Sequence, residues 1–149
     1  MKFSTRIDTD ASASDLFDKV GNFDRIERML TRRGAVITRI DPAQDPGTGM
    51  GWMVGFDWRG QPRQLRLEVT RYDRPERMSM DGQSDAFDVT IDATVVALGR
   101  YRSRLIFETD IRPRNMRARL MLQTAKLGKQ QLDTRYARRI GEFLNDLSA

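Results

Sequence analysis

The stretch IDTDASASDLFDKVGNFDRIERML, residues 7–30, changes its hydrophobic period within a few residues. Just before it and into it, Phe3, Thr5 and Ile7 alternate with Lys2, Ser4 and Arg6, which is the period of a strand. Ser12 and Asp15 then have the spacing of a capping box, and Leu16, Phe17 and Val20 form a helical stripe that Gly21 ends. Asn22 or Asp24 can start a second short helix, with Phe23, Ile26, Met29 and Leu30 on its apolar side and Arg32, Arg33 and Gly34 closing it. The order is one strand followed by two short helices.

Downstream the period returns to two. Ala35 to Ile40 reads as a strand, and the Pro- and Gly-rich segment DPAQDPGTGMG (41–51) as a loop. Its Gly47–Gly51 end lacks the lysine of a P-loop and precedes a strand instead of a helix, so a flexible turn or cavity-edge loop is expected. Trp52, Val54, Phe56 and Trp58 alternate with Met53, Gly55 and Asp57 before the turn RGQP; Leu65, Leu67 and Val69 follow, then Met78 and Met80. In FDVTIDATVVAL (87–98) the apolar Phe87, Val89, Ile91, Ala93, Val95 and Ala97 alternate with a face that begins Asp88, Thr90, Asp92, Thr94. A turn at Leu98–Arg100 leads into a last strand from Tyr101 to Ile111. Tight connections of this kind predict an antiparallel meander with one wet face. Asp88 and Asp92 should therefore point outward, with Arg102, Arg104, Glu108 and Asp110 as cross-strand partners.

From Arg114 to Leu147 the spacing becomes helical. Ala118, Met121, Leu122, Ala125, Leu132, Tyr136, Ile140, Phe143 and Leu147 fall in one broad stripe, while Met116, Leu120 and Leu127 lie opposite. A continuous helix of about 34 residues would span roughly 50 Å, longer than a small domain is wide, so bending or irregularity near its start is expected. Gly128 sits mid-helix, at a cost of roughly 1 kcal/mol relative to Ala.

A chain of 149 residues supports one domain (1–149) with one core. It contains neither cysteine nor histidine, which removes disulfides, thiolate chemistry and Cys/His metal sites; no metal and no cofactor is expected. No apolar run is long enough to span a bilayer, and the acidic beginning does not resemble a signal peptide, so the expected address is the cytoplasm. The net charge of +5 is uneven: residues 111–149 carry 9 Lys and Arg against 3 Asp and Glu, whereas residues 1–110 carry 17 against 18.

The element order, together with residues 7–30, resembles the START-related, or polyketide cyclase/dehydratase and lipid-transport (SRPBCC), superfamily. The segment Ile7–Phe17, the Gly51-containing start of the third strand and the long final helix carry the likeness. It implies an α+β helix-grip fold, with a curved antiparallel sheet of about seven strands wrapped around a long C-terminal helix and two short helices after the first strand. It also implies a cavity between sheet and helix for an apolar or amphipathic ligand. Members include lipid and hormone carriers, aromatase/cyclases, a chaperone-ATPase activator and quinone-binding proteins, and no catalytic motif of the family is found here.

The candidate cavity walls are Trp52, Phe56, Trp58, Met78 and Met80, with Phe87, Ile91 and Phe107, facing Met121, Leu122, Tyr136 and Ile140 of the helix. The same residues also read as ordinary core. Tyr101 and Tyr136 are the candidate polar handles. Function is then binding or transport of an apolar small molecule such as a lipid, quinone or polycyclic aromatic. A cyclase-like enzyme would need an acid or base inside the cavity. Asp57 is the one candidate, if a bulge turns it inward. The residues favour a carrier over an enzyme. Arg112, Arg114, Arg117 and Arg119 cluster where a helix dipole disfavours positive charge; either Asp and Glu of the sheet surface neutralise them, or they meet an anionic membrane surface or an acidic protein as partner. Nucleic acid is disfavoured, since no aromatic–basic interleaving accompanies the charge. A monomer and a homodimer both remain open.

Overall fold

The structure, a computed structural model, describes residues 1–41 and 47–148; residues 42–46 of the expected loop lie outside the described residues. Seven strands form one antiparallel sheet: β1 (Lys2–Thr9), β2 (Val36–Arg39), β3 (Gly51–Trp58), β4 (Gln61–Asp73), β5 (Arg77–Gln83), β6 (Phe87–Gly99) and β7 (Arg102–Pro113). Their order is β1-β7-β6-β5-β4-β3-β2, so each strand from β3 to β7 pairs with its predecessor and β1 closes onto the last. Helices α1 (Ala13–Val20) and α2 (Phe23–Arg32) fill the connection from β1 to β2. After β7 come α3 (Met116–Ala125), a 3-10 turn (Lys126–Gly128) and α4 (Lys129–Ser148). This is the helix-grip arrangement.

Local chemistry sets the boundaries. Ser12 Oγ accepts the Asp15 N–H at 3.1 Å and Asn22 Oδ1 accepts the Arg25 N–H at 3.2 Å, so Asn22, not Asp24, starts α2. The β3–β4 hairpin turns on Arg59 and Gly60, both with positive φ (53° and 73°), the backbone a two-residue type I′ turn needs. A register shift between Val69 and Arg71 lets the inner face of β4 pass from Leu65, Leu67 and Val69 to Tyr72. Such bulges bend the strand that carries them.

The terminal helix is two helices and a turn. Arg114 lies between β7 and α3, its N–H bonded to the Ala86 carbonyl at 2.8 Å; Asn115 then caps α3 by accepting the Ala118 N–H at 2.8 Å. Gly128 ends the 3-10 turn at the point where the chain passes from packing on β7 (α3) to packing on β1 (α4).

The outer face is charged, but its pairs differ from those expected. The register sets Asp92 opposite Glu108 and Asp88 opposite Arg112. Asp92 instead accepts from Ser79 and, at 3.2 Å, from Arg77 on β5, while Asp88 lies 3.7 Å from Arg114. Arg104 pairs with Asp8 on β1 at 2.7 Å. Both Asp88 and Asp92 do face outward. Their partners come from the other neighbouring strand or from beyond β7, since period two sets the face but not the register.

Candidate functional site

The sheet's inner face is closed at one end and open at the other. At the closed end Leu16, Phe17, Val20 and Phe23 of α1 and α2 pack onto Trp52, Val54, Val69, Met78, Val95 and Leu105, with Leu144 of α4 sealing the group. Burying each large side chain there contributes about 1.5–3 kcal/mol. Toward the other end Leu65, Phe87, Val89, Ile91 and Ile111 of the sheet are only half-buried. So are Met121, Leu122, Leu132, Tyr136 and Ile140 of the two terminal helices. Leu67, Met80 and Phe107 mark the border, packing against the closed core from its edge. With α4 close to β1 and α3 close to β7, the helices lie over one side of the sheet and leave the inner face of β4–β6 partly uncovered. The floor is low at Gly82: a Cβ there would stand 3.0 Å from Leu67 and 3.3 Å from Leu65.

Polar groups in this cleft are few. Tyr136 Oη lies 2.9 Å from Thr109 Oγ1 and donates a longer bond, 3.4 Å, to the Phe107 carbonyl. Its ring stacks on Phe3 at 5.2 Å, and the Lys129 ammonium lies 4.5 Å above the Phe3 ring. Burial pushes the Tyr136 phenol up, with a smaller push from nearby Glu108 against the opposing Thr109 hydrogen bond. Among the described residues, every strand carboxylate sits at an outer-face position. The partly buried stretch between sheet and helices is thus apolar, with one hydroxyl pair.

The expected wall residues divide three ways. Phe87, Ile91, Met121, Leu122, Tyr136 and Ile140 line the half-buried part, with Met80 and Phe107 at its border. Trp52 and Met78 belong to the closed core, 4% and 5% exposed. Phe56 and Trp58 have inner-face parity but stand exposed on the β3–β4 hairpin, where β4 residues 61–65 extend past the end of β5. Tyr101 is 74% exposed in the β6–β7 turn, so it touches no cleft; Ser103, two residues on, takes the first inner-face position of β7. Asp57 is exposed on the outer face, opposite Pro62 in an unbroken β3–β4 register. The bulge that would turn Asp57 inward is absent; the register shifts lie in β4 and at the end of β6 instead.

The sequence reading did not single out Glu27. It accepts a hydrogen bond from the Trp52 indole, and the Arg39 guanidinium sits 5.6 Å over the same indole. Arg39 in turn grips Asp41 at 2.7 and 2.8 Å, and Asp41 Oδ1 accepts the Gly51 N–H at 2.9 Å. With Gly49 N–H bonded to the Val69 carbonyl at 2.8 Å, the end of the loop is hydrogen-bonded to the sheet. Tyr72 was also missed, and burial pushes its phenol up, helped by Asp18. Glu27 sits on a helix whose apolar stripe omits it, so no pattern signalled its inward reach.

The four arginines of the basic segment are not equivalent. Arg112 is held by Asp110 at 3.2 Å and Thr90 at 3.0 Å; Arg114 donates to the Ser84 carbonyl at 2.6 Å and lies near Asp88. Arg117 and Arg119, on the first turn of α3, have no side-chain partner among the described residues.

No family model and no curated protein matches the sequence. Solved structures do match the fold. The protein TTHA0849 from Thermus thermophilus superposes with a TM-score of 0.71 at 9% identity, over 99% of this chain and 97% of that one. The Zhui aromatase/cyclase from Streptomyces sp. R1128 gives 0.66 at 12%, over 99% and 93%. Norcoclaurine synthase from Thalictrum flavum, in complex with dopamine and hydroxybenzaldehyde, gives 0.69 at 11%, over 99% and 86%. The chain therefore has the helix-grip fold, and at these identities the likeness speaks to the fold alone.

Proposed function

We propose that this chain binds or carries an apolar or amphipathic small molecule, such as a lipid, quinone or polycyclic aromatic, in the cleft between the inner face of β4–β7 and the helices α3 and α4. One observation carries the reading: the apolar inner-face residues Leu65, Phe87, Val89, Ile91 and Ile111 stay only partly buried although the same face is sealed at its other end. Leaving apolar area in water costs about 25 cal/mol per Å², which a bound apolar molecule would recover. The similar norcoclaurine synthase was solved in complex with dopamine and hydroxybenzaldehyde, which is in keeping with this reading. A cyclase-like reaction is the second reading. It is less favoured because, among the described residues, Tyr136 is the one titratable side chain found between sheet and helices, and its hydroxyl is already engaged by Thr109.

Native mass spectrometry of gently purified protein, followed by denaturing extraction, tests this reading. A stoichiometric apolar adduct is expected. Ile91→Trp, which fills the middle of the cleft, should weaken an apolar fluorescent probe by at least about tenfold. No adduct, and no thermal shift with lipids, quinones or polycyclic aromatics, would overturn the proposal.

A further inference from the structure

The outward side of α3 and the following turn is apolar where a solvated helix should be polar. Met116, Leu120 and Leu127 are 66%, 57% and 89% exposed. At about 100° per residue they share one narrow stripe, with Arg119 and Lys126 along one flank and Arg117 along the other. The inward face of the same helix is apolar as well, through Ala118, Met121 and Leu122. Farther along, α4 has an ordinary outer surface of Gln130, Asp133, Arg135, Arg138 and Glu142. Exposed leucine and methionine are thus confined to the first half of the terminal helical segment.

Charge singles out the same stretch. Between Asp110 and Asp133 the chain contains no acidic residue. Arg117, Arg119 and Lys126 have no ion-pair partner among the described residues, and the first turn of α3 holds no acid to offset them. Two cations at a helix N-terminus weaken the helix through its dipole, so folding does not account for them. Beside the stripe, Arg119, Lys126, Leu122 and Pro113 help to line a depression of about 300 Å³ that mixes cationic and apolar side chains.

We propose that the α3–turn segment docks on an anionic lipid surface, with Met116, Leu120 and Leu127 entering the headgroup boundary and Arg117, Arg119 and Lys126 meeting lipid phosphates. An acidic protein would satisfy the cations but leave a convex apolar ridge unmatched, whereas a fluid lipid interface accommodates such a ridge without a preformed groove. The opposite side of α3 borders the cleft, so docking brings the cleft's helical wall to the bilayer. The inference goes beyond the cargo reading and does not depend on it: a chain that carries nothing can still bind vesicles, and the two can fail separately.

The full chain is to be sedimented with phosphatidylcholine vesicles and with vesicles containing about one-third phosphatidylglycerol. Binding is expected to the anionic vesicles only. It should fall at least about tenfold in Arg117→Glu/Arg119→Glu and in Leu120→Ser/Leu127→Ser. Both pairs of substitutions are on the surface, and the first favours the helix dipole, so thermal unfolding should confirm intact folding. No binding by the wild-type chain, or equal binding to phosphatidylcholine alone, overturns the proposal. Binding to polyglutamate as strong as to vesicles, with the Leu120/Leu127 variant unimpaired on both, would assign an acidic protein partner and overturn it too.

Discussion

Tyr136 of α4 and Thr109 of β7 join helix to sheet by a 2.9 Å hydrogen bond between their hydroxyls. It is the polar contact that crosses the otherwise apolar cleft, and it holds α4 at the side of the sheet where Phe3 stacks on the tyrosine ring. Tyr136→Phe keeps the ring and removes the bond, so denaturant unfolding should show a loss of about 0.5–1.5 kcal/mol. Thr109→Val should cost a similar amount, and the double variant less than the sum of the two. Full additivity would show that the two hydroxyls do not stabilise each other. Burial holds the phenol above its ordinary value of 10.0, so its contribution is complete below that pH and is lost as pH rises through the folded value. Tyr136→Phe should remove that part of the alkaline decline.

Gly128 offers the opposite sign. A Cβ built there meets nothing within 4 Å, and its φ is not positive. Gly128→Ala should therefore raise stability by about 0.4–1 kcal/mol, mainly by restricting the unfolded chain. A destabilised variant would show that the 3-10 turn needs a conformation alanine resists.

How much could be read beforehand follows from what periodicity encodes. The capped helix at Ser12, the seven strands and the wet face of Asp88 and Asp92 were legible because face and cap depend on neighbours within four residues. Asp57 and Tyr101 were misplaced for a different reason. The parity of a strand says which face a residue takes but not where a bulge or turn interrupts it: no bulge interrupts β3 at Asp57, and the turn at Arg100–Tyr101 takes Tyr101 off the sheet. The division of the inner face into closed core and open cleft was illegible. Trp52 and Ile91 have the same sequence signature, and only the tertiary placement of α1, α2 and the end of α4 over the Trp52 side of the sheet separates them.

Glu68 and Asp81 stand directly opposite one another on β4 and β5, and neither has a side-chain partner among the described residues. Like charges in that register are destabilising, and an opposite pair contributes roughly 0.2–1 kcal/mol. Glu68→Lys should therefore stabilise the chain at low ionic strength. The gain should shrink in high salt, where the Debye length falls to about 3 Å at 1 M. Equal stability in both conditions would mean that the two carboxylates do not sense each other.

Asp8 ties the edge strand β1 to β7. Arg104 donates to it at 2.7 and 3.2 Å, and Arg102 lies 3.7 Å away. The Arg104 hydrogen bond, more than the charges of Arg104 and Arg102, holds the carboxyl below its ordinary value of 3.8. A depressed carboxyl contributes stability that is present above its unfolded pKa and disappears as pH falls through the folded one. The pair is exposed, so the effect on global stability is small and screened by salt. The local titration is the sharper readout. In Arg104→Gln the Asp8 carboxyl, followed by NMR, should titrate closer to 3.8, because Arg102 alone acts at longer range. Arg102→Gln should move it less. An unchanged Asp8 titration in Arg104→Gln, or a larger change in Arg102→Gln, would assign the pairing to Arg102 and with it a different closure of β1 onto the sheet.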